Sequence, residues 1–141
     1  MTALLVPVDG SPSSLNALQA ALNFLKNDAS ARLHVISVQP PILSGNVKRF
    51  VPAETIDDYY NEEGEKALAS AREMLEKSGA AANVSVQVGP VAETVVEYAK
   101  SHQCDHIVMG TRGMGYIKGL VLGSITTKVL SLTDLPVTLI K

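Results

Sequence analysis

Between Gly110 and Ser124 the chain reads Gly110-Thr111-Arg112-Gly113-Met114-Gly115-Tyr116-Ile117-Lys118-Gly119-Leu120-Val121-Leu122-Gly123-Ser124. Five glycines fall in one short segment, after an apolar run and before a helical pattern. Glycine has no Cβ, so backbone N–H groups there can come close to a ligand. Gly123-Ser124 stands where the next helix begins, and the free amides and positive dipole end of a helix favour an anion. The segment therefore reads as a cradle for phosphate. The bland alternative is a glycine-rich surface turn with Ser124 as an ordinary helix cap. Two common phosphate motifs do not fit. No G-x-x-x-x-G-K-[ST] run exists, and G-x-G-x-x-G fails because Gly113 and Gly115 are followed by Gly119.

A second position could complete such a site. Asp9-Gly10-Ser11 follows the apolar run Ala3 to Val8. In open α/β sheets, ligands bind outside the carboxyl ends of strands at a topological switch point. If the first and fourth strands are neighbours, Asp9 faces the glycine loop across one crevice, where a carboxylate suits a ribose hydroxyl or an adenine amino group. Asp9 could equally bond only the N–H groups of its own turn. Other polar clusters carry less. His102, Cys104 and His106 fall on a helix end, a turn and a strand start, and no fourth metal ligand is evident. His34 lies within a strand and is expected to meet a polar partner in the core. Asp57, Asp58, Glu62, Glu63 and Glu65 read as a solvated helix face, and Lys48-Arg49 as a solvated loop. Met114, Tyr116 and Ile117 either cover a ligand or pack locally. No nucleophile, base and orienting group stand in a recognisable set.

The apolar pattern defines the elements that must hold these residues. Ala3 to Val8 reads as a strand buried on both faces. Ser11-Pro12 opens a helix, with Leu15, Leu18, Leu22 and Leu25 at helical spacing and Ala17, Ala21 and Phe24 widening the stripe. Leu33 to Val38 is a second strand, closed by Pro40-Pro41. An irregular stretch over 39–53 precedes a charged amphipathic helix over about 54–78 that stops at Gly79. Val84, Val86 and Val88 alternate with polar residues and predict a strand at a sheet edge. Pro90 opens a helix with Val91, Val95 and Tyr98 on one face. His106 to Met109 is a short buried strand, Ser124 to Leu132 a last helix, and Val137 to Ile140 a closing strand after Pro136. Strands and helices alternate throughout, which predicts an α/β fold: a parallel sheet with helices on both faces.

The chain has 141 residues, 46% hydrophobic and 18% charged, with a formal net charge of −2. This predicts one domain, residues 1–141, with a full core and no need of disulfides or metals. The weak acidic balance gives no pull toward nucleic acid or anionic membrane. Cys104 stands alone, which excludes an internal disulfide. The N-terminus has no basic n-region, and no apolar run is long enough to span a membrane. A cytoplasmic protein is expected.

The spacing Gly110-x2-Gly113-x9-Gly123-Ser124 resembles the signature of the ATP-binding branch of the universal stress protein family. Leu4-Leu5-Val6-Pro7-Val8-Asp9-Gly10-Ser11 is similar to that family's opening. Ile107 to Gly113 resembles its fourth strand and turn, Gly123 to Leu130 its last helix, and Leu135-Pro136-Val137 the approach to its fifth strand. The resemblance implies an open, Rossmann-like, five-stranded parallel sheet in the order 3-2-1-4-5, which agrees with an edge position for the third strand. It implies adenine contacts from Pro7, Asp9 and Val38, with Val8 and Met109 also at the nucleotide. It assigns Gly110, Arg112, Gly113, Gly123, Ser124 and Ile125 to ribose and phosphate. His106 departs from the aliphatic residue usual at the start of the fourth strand, and the 39–53 stretch follows no family pattern.

The function expected is an ATP-binding stress-response module with little or no hydrolysis, any magnesium or manganese being held mainly by the phosphates. A slow adenine-nucleotide hydrolase and a nucleotide-free interaction or chaperone-like protein are the alternatives. Val137 to Ile140 is expected to leave an apolar sheet edge open, and pairing with the same strand of a second copy would cover it. The family resemblance implies the same homodimer.

Overall fold

The computed structural model describes residues 2–42, 49–113 and 122–141. Its elements are β1 (Ala3–Pro7), α1 (Pro12–Lys26), β2 (Arg32–Gln39), α2 (Ala53–Ser78), β3 (Asn83–Val88), α3 (Val91–Ser101), β4 (His106–Gly110), α4 (Ser124–Leu132) and β5 (Val137–Ile140). The five strands form one sheet in the order β3-β2-β1-β4-β5, and every pairing is parallel. This is the Rossmann-like arrangement that the alternating pattern and the resemblance imply. β3 lies at one edge and β5 at the other.

Period-2 alternation of the central strands feeds two cores. Leu4, Val6, Val8, Leu33, Val35 and Val108 face α1 and α2, where Leu18, Leu22, Leu68 and Leu75 meet them. Leu5, Ile36, Ile107 and Met109 face the other way, against Val95, Val96 and Tyr98 of α3 and Val129 of α4. Both faces of β1, β2 and β4 are thus covered, which is why those strands read as unbroken apolar runs. A fully buried leucine such as Leu18 contributes about 1.5–3 kcal/mol.

The helix ends follow their capping chemistry. The Ser11 side chain accepts the Ser14 amide at 3.3 Å, and Pro12 occupies the first turn of α1, where no N–H is missed. α2 stops at Gly79, whose φ of 70° suits glycine and whose amide reaches Leu75 O at 3.0 Å. One expectation fails on α1. Phe24 is 49% exposed rather than part of the inward stripe, and its ring lies 6.3 Å from that of His106 on the helix flank. Among the described residues, no helix is long and apolar enough to cross a membrane.

Candidate functional site

β1 and β4 are neighbours, so the turns that leave their carboxyl ends share one crevice. The first turn carries Asp9. Its Oδ1 accepts the Ser11 amide at 2.9 Å, an Asx turn that fixes the carboxylate before α1 begins. Gly10 follows at φ 84°, a conformation that favours glycine. The other carboxylate oxygen faces the glycine loop: a Cβ on Gly113 would lie 2.5 Å from Asp9 Oδ2. Asp9 therefore does both things that its position allows. It organises its own turn, and it stands against the loop after β4.

The two ends of that loop are tied together. Gly123 donates its amide to Thr111 O at 2.7 Å, and Thr111 donates its own to Ile140 O at 2.8 Å. Thr126 Oγ1 on α4 donates to Gly110 O at 3.0 Å. These bonds hold the start of α4 beside the end of β4, independent of the residues between them. Gly123 is the N-cap of α4, and among the described residues no side chain caps the helix there. The amides of its first turn form an anion-favouring helix end.

The three described glycines of the motif have different reasons to be glycine. A Cβ on Gly110 would lie 2.8 Å from the Ser13 carbonyl carbon and 2.9 Å from Ser14 N, so close packing of β4 on α1 excludes it. At Gly113 the obstacle is the Asp9 carboxylate. Gly123 meets neither obstacle. Its φ of −73° and ψ of 162° suit any residue. A Cβ there would sit at ordinary contact distance, 3.5 Å from Arg112 Cα and 3.7 Å from Gly113 N. Among the described residues, neither packing nor backbone angles demand glycine at this position.

The remaining expected site residues divide by exposure. Pro7, Val38, Arg112 and Gly113 are half-buried, Val38 packing against the second core, and Ser124 and Ile125 are exposed on the first turn of α4. Val8 and Met109 belong to opposite cores, so only their backbones are available to a ligand. Gly115, Met114, Tyr116, Ile117 and Lys48 lie outside the described residues, while Arg49 is exposed.

The histidines and the cysteine are placed elsewhere. His34 is buried, with Nδ1 2.9 Å from the Tyr98 hydroxyl, the core polar partner expected for it. Tyr98 stacks on His102 with ring centroids 3.7 Å apart. Burial first, then the nearby His102 and Arg32, push the pKa of His34 down. Cys104 is buried, and burial pushes its thiol up. His106 Nε2 lies 2.7 Å from Thr138 Oγ1 on β5. Among the described residues, no three His, Cys, Asp or Glu side chains stand together as metal ligands. The acidic residues of α2 are surface charges, with Glu65 paired to Arg72 at 2.8 Å and Glu63 to Lys66 at 3.1 Å.

Sequence reasoning missed two features. One is the packing demand on Gly110. The other is Tyr60, buried on α2, whose hydroxyl accepts the Ile42 amide at 2.6 Å. Its place at i−4 and i−8 from Gly64 and Leu68 on the inner face was a signal available in the sequence.

Known proteins share this architecture. Universal stress protein YxiE of Bacillus subtilis is 34% identical over 98% of this chain and 97% of its own length. Universal stress protein MJ0531 of Methanocaldococcus jannaschii is 32% identical over 98% of this chain and 81% of its own. Among solved structures, universal stress protein UspA from Lactobacillus plantarum gives a TM-score of 0.83 at 22% identity, covering 99% of this chain and 97% of that one. The universal stress protein from Archaeoglobus fulgidus in complex with dAMP gives 0.71 at 21% identity, covering 100% and 98%. The universal stress protein family itself matches residues 1–141. With the parallel 3-2-1-4-5 sheet and the paired turns at its centre, this chain belongs to the universal stress protein family.

Proposed function

We propose that residues 1–141 form a single adenine-nucleotide-binding module of the stress response, with ATP as its ligand and little or no hydrolysis. The observation that carries this reading is Gly123, a glycine that neither its backbone angles nor its packing among the described residues requires, at the start of α4 beside the Asp9 turn. A ligand that approaches the loop backbone explains it. The dAMP bound by the Archaeoglobus fulgidus protein of the same fold supports an adenine nucleotide as that ligand.

In this reading Val38, Pro7 and Asp9 take the base end, with the backbones of Val8 and Met109 beside them. Gly110, Arg112, Gly113, Gly123, Ser124 and Ile125 take the ribose and phosphates, with α4's first-turn amides donating to phosphate oxygens. Magnesium or manganese would arrive with the phosphates, which supply the oxygen ligands that the described side chains do not group together. Asp9 has a binding role. Its Oδ1 accepts the Ser11 amide, which orients the carboxylate with Oδ2 toward the glycine loop.

We take the working form to be a cytoplasmic homodimer joined through the outer edge of β5. Mass spectrometry of ligands released from the gently denatured, purified chain tests the function. Adenine nucleotide at about one per chain is expected. A chain that carries none, and takes up none on incubation with ATP, would refute the reading in favour of a nucleotide-free interaction module. Turnover of bound ATP at the rate of an ordinary kinase or ATPase would replace the module with an enzyme.

A further inference from the structure

Tyr60 stands at the top of the inner stripe of α2, which continues through Gly64, Leu68, Ala71 and Leu75. Gly64 fixes the height of that stripe against the sheet, because it packs directly on the Val86 side chain. From Gly64 to Tyr60 the helix climbs about 6 Å. From Val86 to Val88 the strand climbs about 6.6 Å. Tyr60 is therefore level with the carboxyl end of β3, and Val88 there is in register with Gln39 of β2. This is the level at which ligands bind on a parallel sheet.

The segment that leaves β2 at this level is tethered at both ends. Gly89 donates its amide to Gln39 O at 3.0 Å, and Ile42 donates its amide to the Tyr60 hydroxyl at 2.6 Å. Pro40 and Pro41 lie between the tethers, each with φ fixed by its ring. Gln39 to Ile42 thus forms a stiff lip that follows directly on Val38. Tyr60 is buried, and its hydroxyl accepts the Ile42 amide.

We infer that Tyr60 is a positioning residue for base recognition: through Ile42 it holds the lip after Val38 in place, and the lip forms the wall against which the base of a purine nucleotide is read. The inference rests on the nucleotide-binding reading above. Tyr60 touches the lip and not the ligand, so its effect falls on the base and spares the phosphates.

Tyr60→Phe removes the tether alone. Titration calorimetry of wild type and variant with ATP and with GTP gives the test. The wild type is expected to prefer ATP. The variant is expected to lose about fivefold in ATP affinity, the worth of one hydrogen bond, with little change for GTP. Equal losses for both nucleotides would show a general structural role and overturn the inference, as would unchanged ATP affinity or a wild type without preference. Wild-type binding of neither nucleotide would instead refute the underlying reading and remove the inference with it. Hydrogen exchange at the Ile42 amide in the wild-type chain is a second measurement that needs no variant. ATP is expected to slow this exchange at least severalfold, and an unchanged rate would overturn the inference.

Discussion

At the scale of single residues, the site turns on which side chains the fold requires and which only a ligand explains. Gly110 and Gly123 separate the two. Gly110→Ala drives a Cβ into Ser13 and Ser14 and is expected to cost about 1–3 kcal/mol of stability, read as a lower urea midpoint. Gly123→Ala is expected to leave that midpoint unchanged, since a Cβ fits there at contact distance. If both variants unfold alike, Gly123 is structural and loses its place in the site. Asp9→Ala removes a charged acceptor and is expected to weaken ATP binding by roughly 1.5–3 kcal/mol, measured by calorimetry. Full ATP affinity combined with loss of a measurable hydrolysis rate would make Asp9 catalytic. The approach of Asp9 to the glycine loop was legible in the sequence, because the strand alternation and the family's order placed the first and fourth strands side by side. The distinct reason for each glycine was not, because it depends on how close α1 comes to β4.

At the scale of elements, β2, β3 and α3 meet around His34. The Tyr98 hydroxyl bonds His34 Nδ1, and His34 Nε2 is buried without a partner among the described residues. Burial first, then His102 and Arg32, lower the folded pKa of His34 below its ordinary value of about 6.5. The unfolded chain therefore binds the proton more readily. Stability from this group is full above about pH 6.5 and is lost as pH falls from there through the folded pKa. His34→Gln is expected to flatten the fall in urea midpoint between pH 7.5 and 5, and equal slopes in variant and wild type would contradict it. Gly64→Ala would press a methyl group on Val86 and is expected to lower thermal stability despite alanine's better helix propensity. A rise in Tm would show that α2 can shift. Element boundaries were readable because caps and periodicity agree, as at Ser11-Pro12 and Gly79. Phe24 was misread because helical spacing alone does not say how wide the buried stripe is. The burial of Tyr60 was available from its helical spacing to Gly64 and Leu68, but its partner, a backbone amide on the segment after β2, has no sequence signal.

At the scale of the whole molecule, β5 closes the sheet on one side with its outer edge unpaired among the described residues. Ile107 donates to Pro136 O and Thr111 to Ile140 O, so residues 136 and 140 turn their backbone toward β4. Successive strand residues alternate edges, which turns Thr138 inward as well and leaves Val137 and Leu139 facing out. Leu139→Pro removes an outward donor and is expected to shift a dimer toward monomer in light scattering at tens of micromolar. A wild-type monomer at that concentration, or a variant that still dimerises, would contradict assembly through this edge. The central claim is that the crevice between the β1 and β4 turns holds ATP on the glycine-loop backbone. Its most direct measurement is calorimetric titration of ATP into the nucleotide-stripped chain and into Gly123→Val. Saturable binding of one ATP per chain, weakened at least tenfold in the variant (about 1.4 kcal/mol), is the predicted result; no binding to the wild type, or equal affinity in the two, would contradict it.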